Sequence, residues 1–325
     1  MQISVIFTGG TIGSRLHEGG IGTDGEAPRE LLARYRAASG DDTVFQTAAP
    51  YTILSEDLTL SHVALLTGAI REELARADGV IVTHGTDTLP YTAAALSYTL
   101  GLCDKPVVLV SSNYILSDPR ANGVDNFRAA VDFLRGAPDA KGVFVSYRNK
   151  GEQVKLLRGA RLLSHLAPTD TVYTLNGTVA TWENGALQPQ AYRERADELP
   201  PLCADPLKET VERVLFLRAH PNMIFPALTN GMQAVLIETY HSGTLPTSTP
   251  ALCTFAKRAR KKNIPLFAAG ITGEATYESA NAYAALGITP LPPLSPVAAY
   301  LKLSLCLANG LDPKKILPRP LGGDM

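Results

Sequence analysis

Two short polar turns hold the residues best suited to chemistry: Thr8-Gly9-Gly10-Thr11-Ile12-Gly13 and His84-Gly85-Thr86-Asp87-Thr88. Each sets a threonine hydroxyl beside glycine, and the second adds a carboxylate. Hydrolysis of an amide at neutral pH requires a nucleophile, an acceptor for its proton and donors for the oxyanion that forms. Thr11 is the candidate nucleophile. Thr86 supplies a second hydroxyl, and Asp87 offers a charge that can hold a substrate ammonium group. Gly10 and Gly85 let a substrate approach the backbone of each turn closely. His84 reads as a structural histidine and is not counted among the catalytic groups. Neither turn contains Gly-x-x-x-x-Gly-Lys-Ser/Thr or Gly-x-Gly-x-x-Gly, so neither reads as a phosphate loop.

The elements that must position these turns are legible upstream of each. Ile3-Ser4-Val5-Ile6-Phe7 precedes the first and Gly79-Val80-Ile81-Val82 the second, near-continuous apolar runs suited to a parallel sheet covered on both faces. Each threonine therefore sits at the carboxyl end of a strand, the edge where open α/β sheets bind ligands. Further strands at 107–110 and 142–145 alternate with helical patterns at 91–100 and 124–134, the mark of right-handed crossovers. From about 186 to 208 the periodicity gives way to a polar, proline-containing stretch that reads as a linker. Strands at 211–217, 234–237 and 265–268 follow, with a basic helix at 254–262 whose charges read as a solvated face. The expected fold is α/β: a larger amino-terminal doubly wound, mostly parallel domain over 1–190, a linker over 191–208, and a smaller α/β domain over 209–325.

Thirty basic residues nearly balance 31 acidic ones. That leaves no electrostatic footprint for nucleic acid or an anionic membrane, and no apolar stretch spans a bilayer. A small molecule is the expected partner. Cys103, Cys203, Cys253 and Cys306 are scattered, without Cys-x-x-Cys spacing or clustered histidines, so they read as reduced thiols rather than a disulfide framework or metal site.

In the order and spacing of Thr8-Gly9-Gly10-Thr11-Ile12-Gly13 and His84-Gly85-Thr86-Asp87-Thr88, the chain resembles the bacterial L-asparaginases of the two-domain, threonine-nucleophile type. Ser55-Glu56-Asp57, Ser111-Ser112-Asn113 and Arg158-Gly159-Ala160-Arg161 extend the resemblance over nearly the whole chain. It implies that Thr11 attacks the amide, that Thr86 assists proton transfer and that Asp87 binds the α-amino group. It also places Ser55 on the α-carboxylate and Glu56 near the α-amino group, with no cofactor and no metal. The start at Met1, with a strand already under way, is closer to the cytoplasmic branch of the family than to the secreted one. A homodimer or homotetramer is implied, each site being completed by a neighbouring subunit.

Three family residues are replaced. Gly20 stands near the place of a lid tyrosine, in a glycine-rich segment over 19–25 that reads as a flexible lid. Ser164 stands where a relay lysine is expected, with His165 next to it and Lys155 nearby, and an imidazole can take that role. Thr244, in Tyr240-His241-Ser242-Gly243-Thr244, stands where an asparagine would reach the neighbouring subunit; Tyr277 is a candidate aromatic for the lid. The leading expectation is hydrolysis of L-asparagine to L-aspartate and ammonia through a threonyl acyl-enzyme. The alternatives are an amidase for glutamine or another small amide, and an amino-acid-binding protein without turnover. The amidase component of a tRNA-dependent amidotransferase shares the fold but carries an additional domain, for which the chain has no room.

Overall fold

The computed structural model describes residues 1–41, 43–166, 168–209, 213–271 and 277–325. Among the described residues, ten strands belong to the amino-terminal domain: β1 (Ile3–Phe7), β2 (Ser14–His17), β3 (Gly20–Thr23), β4 (Phe45–Ala48), β5 (Gly79–Thr83), β6 (Val107–Val110), β7 (Val143–Arg148), β8 (Val154–Arg158), β9 (Thr178–Glu183) and β10 (Ala186–Pro189). Four more follow, β11 (Val214–Arg218), β12 (Ala234–Glu238), β13 (Leu266–Ala269) and β14 (Ile288–Pro290). The helices are α1 (Ala27–Ser39), α2 (Leu60–Leu74), α3 (Leu89–Leu100), α4 (Gly123–Gly136), α5 (Pro250–Lys261), α6 (Glu278–Asn281), α7 (Tyr283–Leu286), α8 (Pro296–Ala308) and α9 (Pro313–Ile316).

The larger sheet has eight strands in the order β10-β9-β8-β7-β6-β5-β1-β4. Strands β4, β1, β5, β6 and β7 run parallel, and β8, β9 and β10 extend the sheet antiparallel. Its two faces follow from the pleat. Phe7, Ile81 and Val108 turn toward α1 and α4, packing with Leu31, Tyr35 and Phe127, whereas Ile6, Val80 and Val82 turn toward α2 and α3, packing with Leu66, Ile70 and Leu96. Each such side chain contributes roughly 2 kcal/mol by leaving water. β5 is buried throughout, as its unbroken apolar run requires.

The smaller sheet, β11-β12-β13-β14, is parallel throughout. Helix α5 covers one face through Leu252 and Phe255, and α8 the other through Ala299 and Leu303. Helix α8 also presents Val297, Ala298, Leu301 and Leu305 to α2 and α3. Burial on both sides explains a helix that is apolar nearly all round.

Three readings of the sequence are refined. The stretch read as wholly irregular opens with β10, paired to β9, and further on sends Leu199, Leu202, Ala204 and Leu207 into the cluster beneath α8. The expected strand at 211–217 appears as β11, and Val211 itself lies outside the described residues. The segment after the first turn forms an antiparallel hairpin, β2–β3, with Leu16 opposite Ile21 and both exposed. Lys257, Arg258, Arg260, Lys261 and Lys262 form an exposed face around the end of α5. Among the described residues no helix is long and apolar enough to cross a membrane.

Candidate active site

Strands β1 and β5 are adjacent and in register, with Phe7 opposite Thr83, so both threonine turns leave the same sheet edge side by side. Gly10 has φ 71°, and a Cβ there would lie 2.2 Å from the Gly85 nitrogen. A Cβ on Gly85 would lie 2.4 Å from the Ser55 Oγ and 3.1 Å from the Gly10 Cα. Only glycine permits this approach of the two backbones. It leaves Thr11 and Thr86, each one residue further on, flanking the contact, and both are partly exposed. The turns are tied from below: the Thr8 hydroxyl donates to the Thr83 carbonyl at 2.6 Å, and the Gly10 N–H donates to the Ile53 carbonyl at 2.9 Å.

Ser55 opens a single 3-10 turn, Ser55–Asp57, but is not its cap residue, which is Leu54. Its buried hydroxyl instead donates to the Asp87 carboxylate at 3.0 Å, and its carbonyl accepts from the Thr88 hydroxyl at 2.8 Å. Two segments 32 residues apart thus join at the positions expected to hold a substrate carboxylate and ammonium. Glu56 is exposed beside them.

His84 is fully enclosed. Its Nδ1 lies 2.8 Å from the Gly85 carbonyl and its Nε2 2.8 Å from the Thr92 hydroxyl. Burial depresses its pKa to about 4, only partly opposed by the Gly85 carbonyl, so the ring is a neutral brace for the turn.

A cavity of about 460 Å³ opens beside the second turn, lined by Thr86, Asp87, Asn113, Tyr147, His165 and Asp170 among others. Ser164 is half-buried next to it, outside the lining, as are Thr11, Gly10, Ser55 and Glu56 on the side of the first turn. The His165 Nε2 is buried with no hydrogen-bond partner among the described residues. Burial lowers the pKa of His165, while the charges of Asp87 and Asp170 pull it upward. An imidazole in that state is neutral near pH 7 and has a nitrogen free to accept a proton. Lys155 is not among the residues lining this cavity, and its Nζ is bound to Glu152 at 2.5 Å.

Tyr147 and Asp170 carry no signal in the sequence, and Asn113 appears there only as part of a motif. The Tyr147 hydroxyl donates to the Asp170 carbonyl at 3.0 Å, and its ring meets His165 edge to face. No local pattern marks either residue, because the pairing of β6 with β7 and the return of the chain after β8 bring them to the cavity. In the second domain, the Tyr240–Thr244 turn closes with Tyr240 N–H donating to the Thr244 carbonyl at 3.0 Å. Tyr277 is half exposed, and residues 272–276 before it lie outside the described residues. Among the described residues, no group of three or more His, Cys, Asp or Glu side chains is placed to hold a metal ion.

The family model described as Asparaginase, N-terminal matches residues 2–180, more than half of the chain. A component of the glutamyl-tRNA(Gln) amidotransferase from Pyrobaculum aerophilum is 29% identical over 100% of this chain and 80% of its own length. An L-asparaginase from Thermococcus kodakarensis is 26% identical over 100% of this chain and 99% of its own. The solved structure of the thermostable L-asparaginase from Thermococcus kodakarensis superposes with a TM-score of 0.80 at 22% identity, covering 100% of this chain and 99% of that one.

Proposed function

The chain belongs to the asparaginase family, and from that premise we propose that this amidohydrolase cleaves the side-chain amide of L-asparagine to L-aspartate and ammonia through a threonyl acyl-enzyme. The observation that carries the reading is the contact of Gly10 with Gly85, which sets two hydroxyl-bearing turns beside a Ser55–Asp87 pair. Asp87 receives the α-ammonium group with Glu56 near it, and Ser55 turns its hydroxyl to the α-carboxylate. The Thr11 Oγ attacks the amide carbon while its proton passes through Thr86 to the His165 Nε2, with Ser164 beside the path. The tetrahedral intermediate expels ammonia, which takes that proton, and leaves an ester on Thr11. Water then attacks the ester, giving its proton to the same imidazole, and aspartate departs as Thr11 recovers its own.

Glutamine is a second substrate reading, favoured by the cavity beyond Asp87, which leaves space for a longer side chain, and by a relative named for a glutamine-related amidotransferase. In the assembly we propose, a twofold dimer or a pair of dimers, the 240s turn or Tyr277 reaches the neighbouring Thr11 cleft. Four unpaired cysteines support a reducing, cytoplasmic setting. Ammonia release from asparagine, glutamine and other small amides tests the reading. Turnover of one of them, abolished by Thr11→Ala, is expected; binding without turnover across the panel contradicts it.

A further inference from the structure

The loop that carries His165 is held at its two ends by different domains. Its returning leg is fixed by the end of β7: the Tyr147 hydroxyl donates to the Asp170 carbonyl, and Asn149 exchanges hydrogen bonds with Val172 at 2.9 and 3.2 Å. Its outgoing leg pairs with the returning one, Leu162 bridging Thr174 and Leu163 N–H donating to the Tyr173 carbonyl at 3.0 Å, and is held in addition from the second domain. The Ser295 hydroxyl, buried at the amino end of α8, donates to the Leu162 carbonyl at 2.5 Å, and the Arg161 Nε donates to the Gly323 carbonyl at 2.9 Å.

The segment that supplies Gly323 is itself locked. Asp324 and Lys302 form an ion pair at 2.7 Å with both side chains fully buried. The Tyr98 hydroxyl donates to Asp324 at 3.2 Å, and Lys302 also donates to the carbonyls of Leu317 and Arg319. Gly322 N–H donates to Asp197 at 2.7 Å. A fully buried charge pair costs much desolvation, so its satisfied surroundings mark a point where one geometry is enforced. Consecutive residues 161 and 162 thus receive one contact each, from the strap 321–325 and from the start of α8, a few residues before the imidazole.

We propose that Ser295 and the strap 321–325, pinned by Lys302 and Asp324, form a brace through which the second domain positions His165 at the Thr86–Asp87 cleft of its own chain. The inference rests on the reading of His165 as proton acceptor. Ser295, Lys302 and Asp324 are then positioning residues: none touches the substrate, and each acts through the chain at 161–162.

The test is the pH profile of ammonia release for the full chain and for Ser295→Ala, Ser295→Thr, Asp324→Asn and His165→Gln. Loss of the Ser295 donor lets the loop shift and hydrate. In Ser295→Ala, kcat falls roughly tenfold to a hundredfold, KM stays within about twofold, and the acid limb moves to higher pH as the imidazole regains solvent. Ser295→Thr restores the hydroxyl and returns both kcat and the limb. Asp324→Asn, which keeps the shape and removes the charge, moves them in the same direction as Ser295→Ala; if that variant fails to fold, the Ser295 pair decides alone. An unchanged kcat and limb in Ser295→Ala, while His165→Gln abolishes the limb, overturns the brace and leaves His165 in place. A limb that survives His165→Gln removes the proton-acceptor reading, and the brace with it.

Discussion

The paired glycine turns and the loop that carries His165 reach the same cleft by different means. The turns are set mainly by backbone, with neighbouring strands in register and two glycines in contact, and the Thr8 hydroxyl adds a hydrogen bond across the sheet edge. The two legs of the loop pair with each other where Leu162 bridges Thr174, and side chains from β7 on one leg and from the second domain on the other add to that frame. Thr11 and Asp87 thus follow directly on strands of the sheet, whereas His165 sits on a loop beyond it.

Removing the nucleophile gives the sharpest contrast between binding and turnover. Thr11→Ala is expected to lower kcat by roughly 10⁴-fold or more while calorimetry still detects amino-acid binding, because Asp87 and Ser55 are untouched. Next comes the backbone contact itself. Gly10→Ala forces a Cβ to within 2.2 Å of the Gly85 nitrogen at a positive φ, and thermal unfolding should show a loss of about 3 kcal/mol together with activity. Gly19→Ala, where an added methyl group meets open space, should change stability by less than about 0.5 kcal/mol.

The loop side of the comparison is probed through pH. A base must be neutral to accept a proton, and burial holds His165 below the ordinary histidine range. Activity therefore rises with pH through an acid limb beneath that range. His165→Gln should remove the limb and lower kcat by roughly 10²- to 10³-fold. A small effect is also expected far from the cleft. Arg135, with Tyr35 and Thr43, holds the Asp41 carboxyl well below its usual range, and the Arg135–Asp41 pair is partly exposed. Arg135→Gln should cost about 0.5 kcal/mol at neutral pH. The stability this pair contributes is present above the ordinary aspartate pKa and is lost as pH falls through the depressed one, so wild type and variant should converge in acid.

Both turns and their parallel strands could be read in the sequence, because an apolar run followed by Thr-Gly or Gly-Thr is a local signal. Ser55 was legible only through resemblance; its bond to Asp87 joins residues 32 positions apart. Tyr147, Asp170 and Ser295 left no trace, since each acts through a backbone carbonyl, or as one, that only the tertiary fold brings near. Leu199, Leu202 and Leu207 hide similarly in a proline-containing stretch without period, and their burial beneath α8 follows from the packing of a helix shared by both domains.

The account turns on Thr11 as the attacking group. Acid quenching during turnover of asparagine, followed by peptide mass spectrometry, measures this directly. The account predicts an aspartyl ester on the peptide holding Thr11, absent from Thr11→Ala and more abundant in His165→Gln if water attack on the ester is slowed more than its formation. An ester on Thr86 instead, or full turnover in Thr11→Ala, would contradict it.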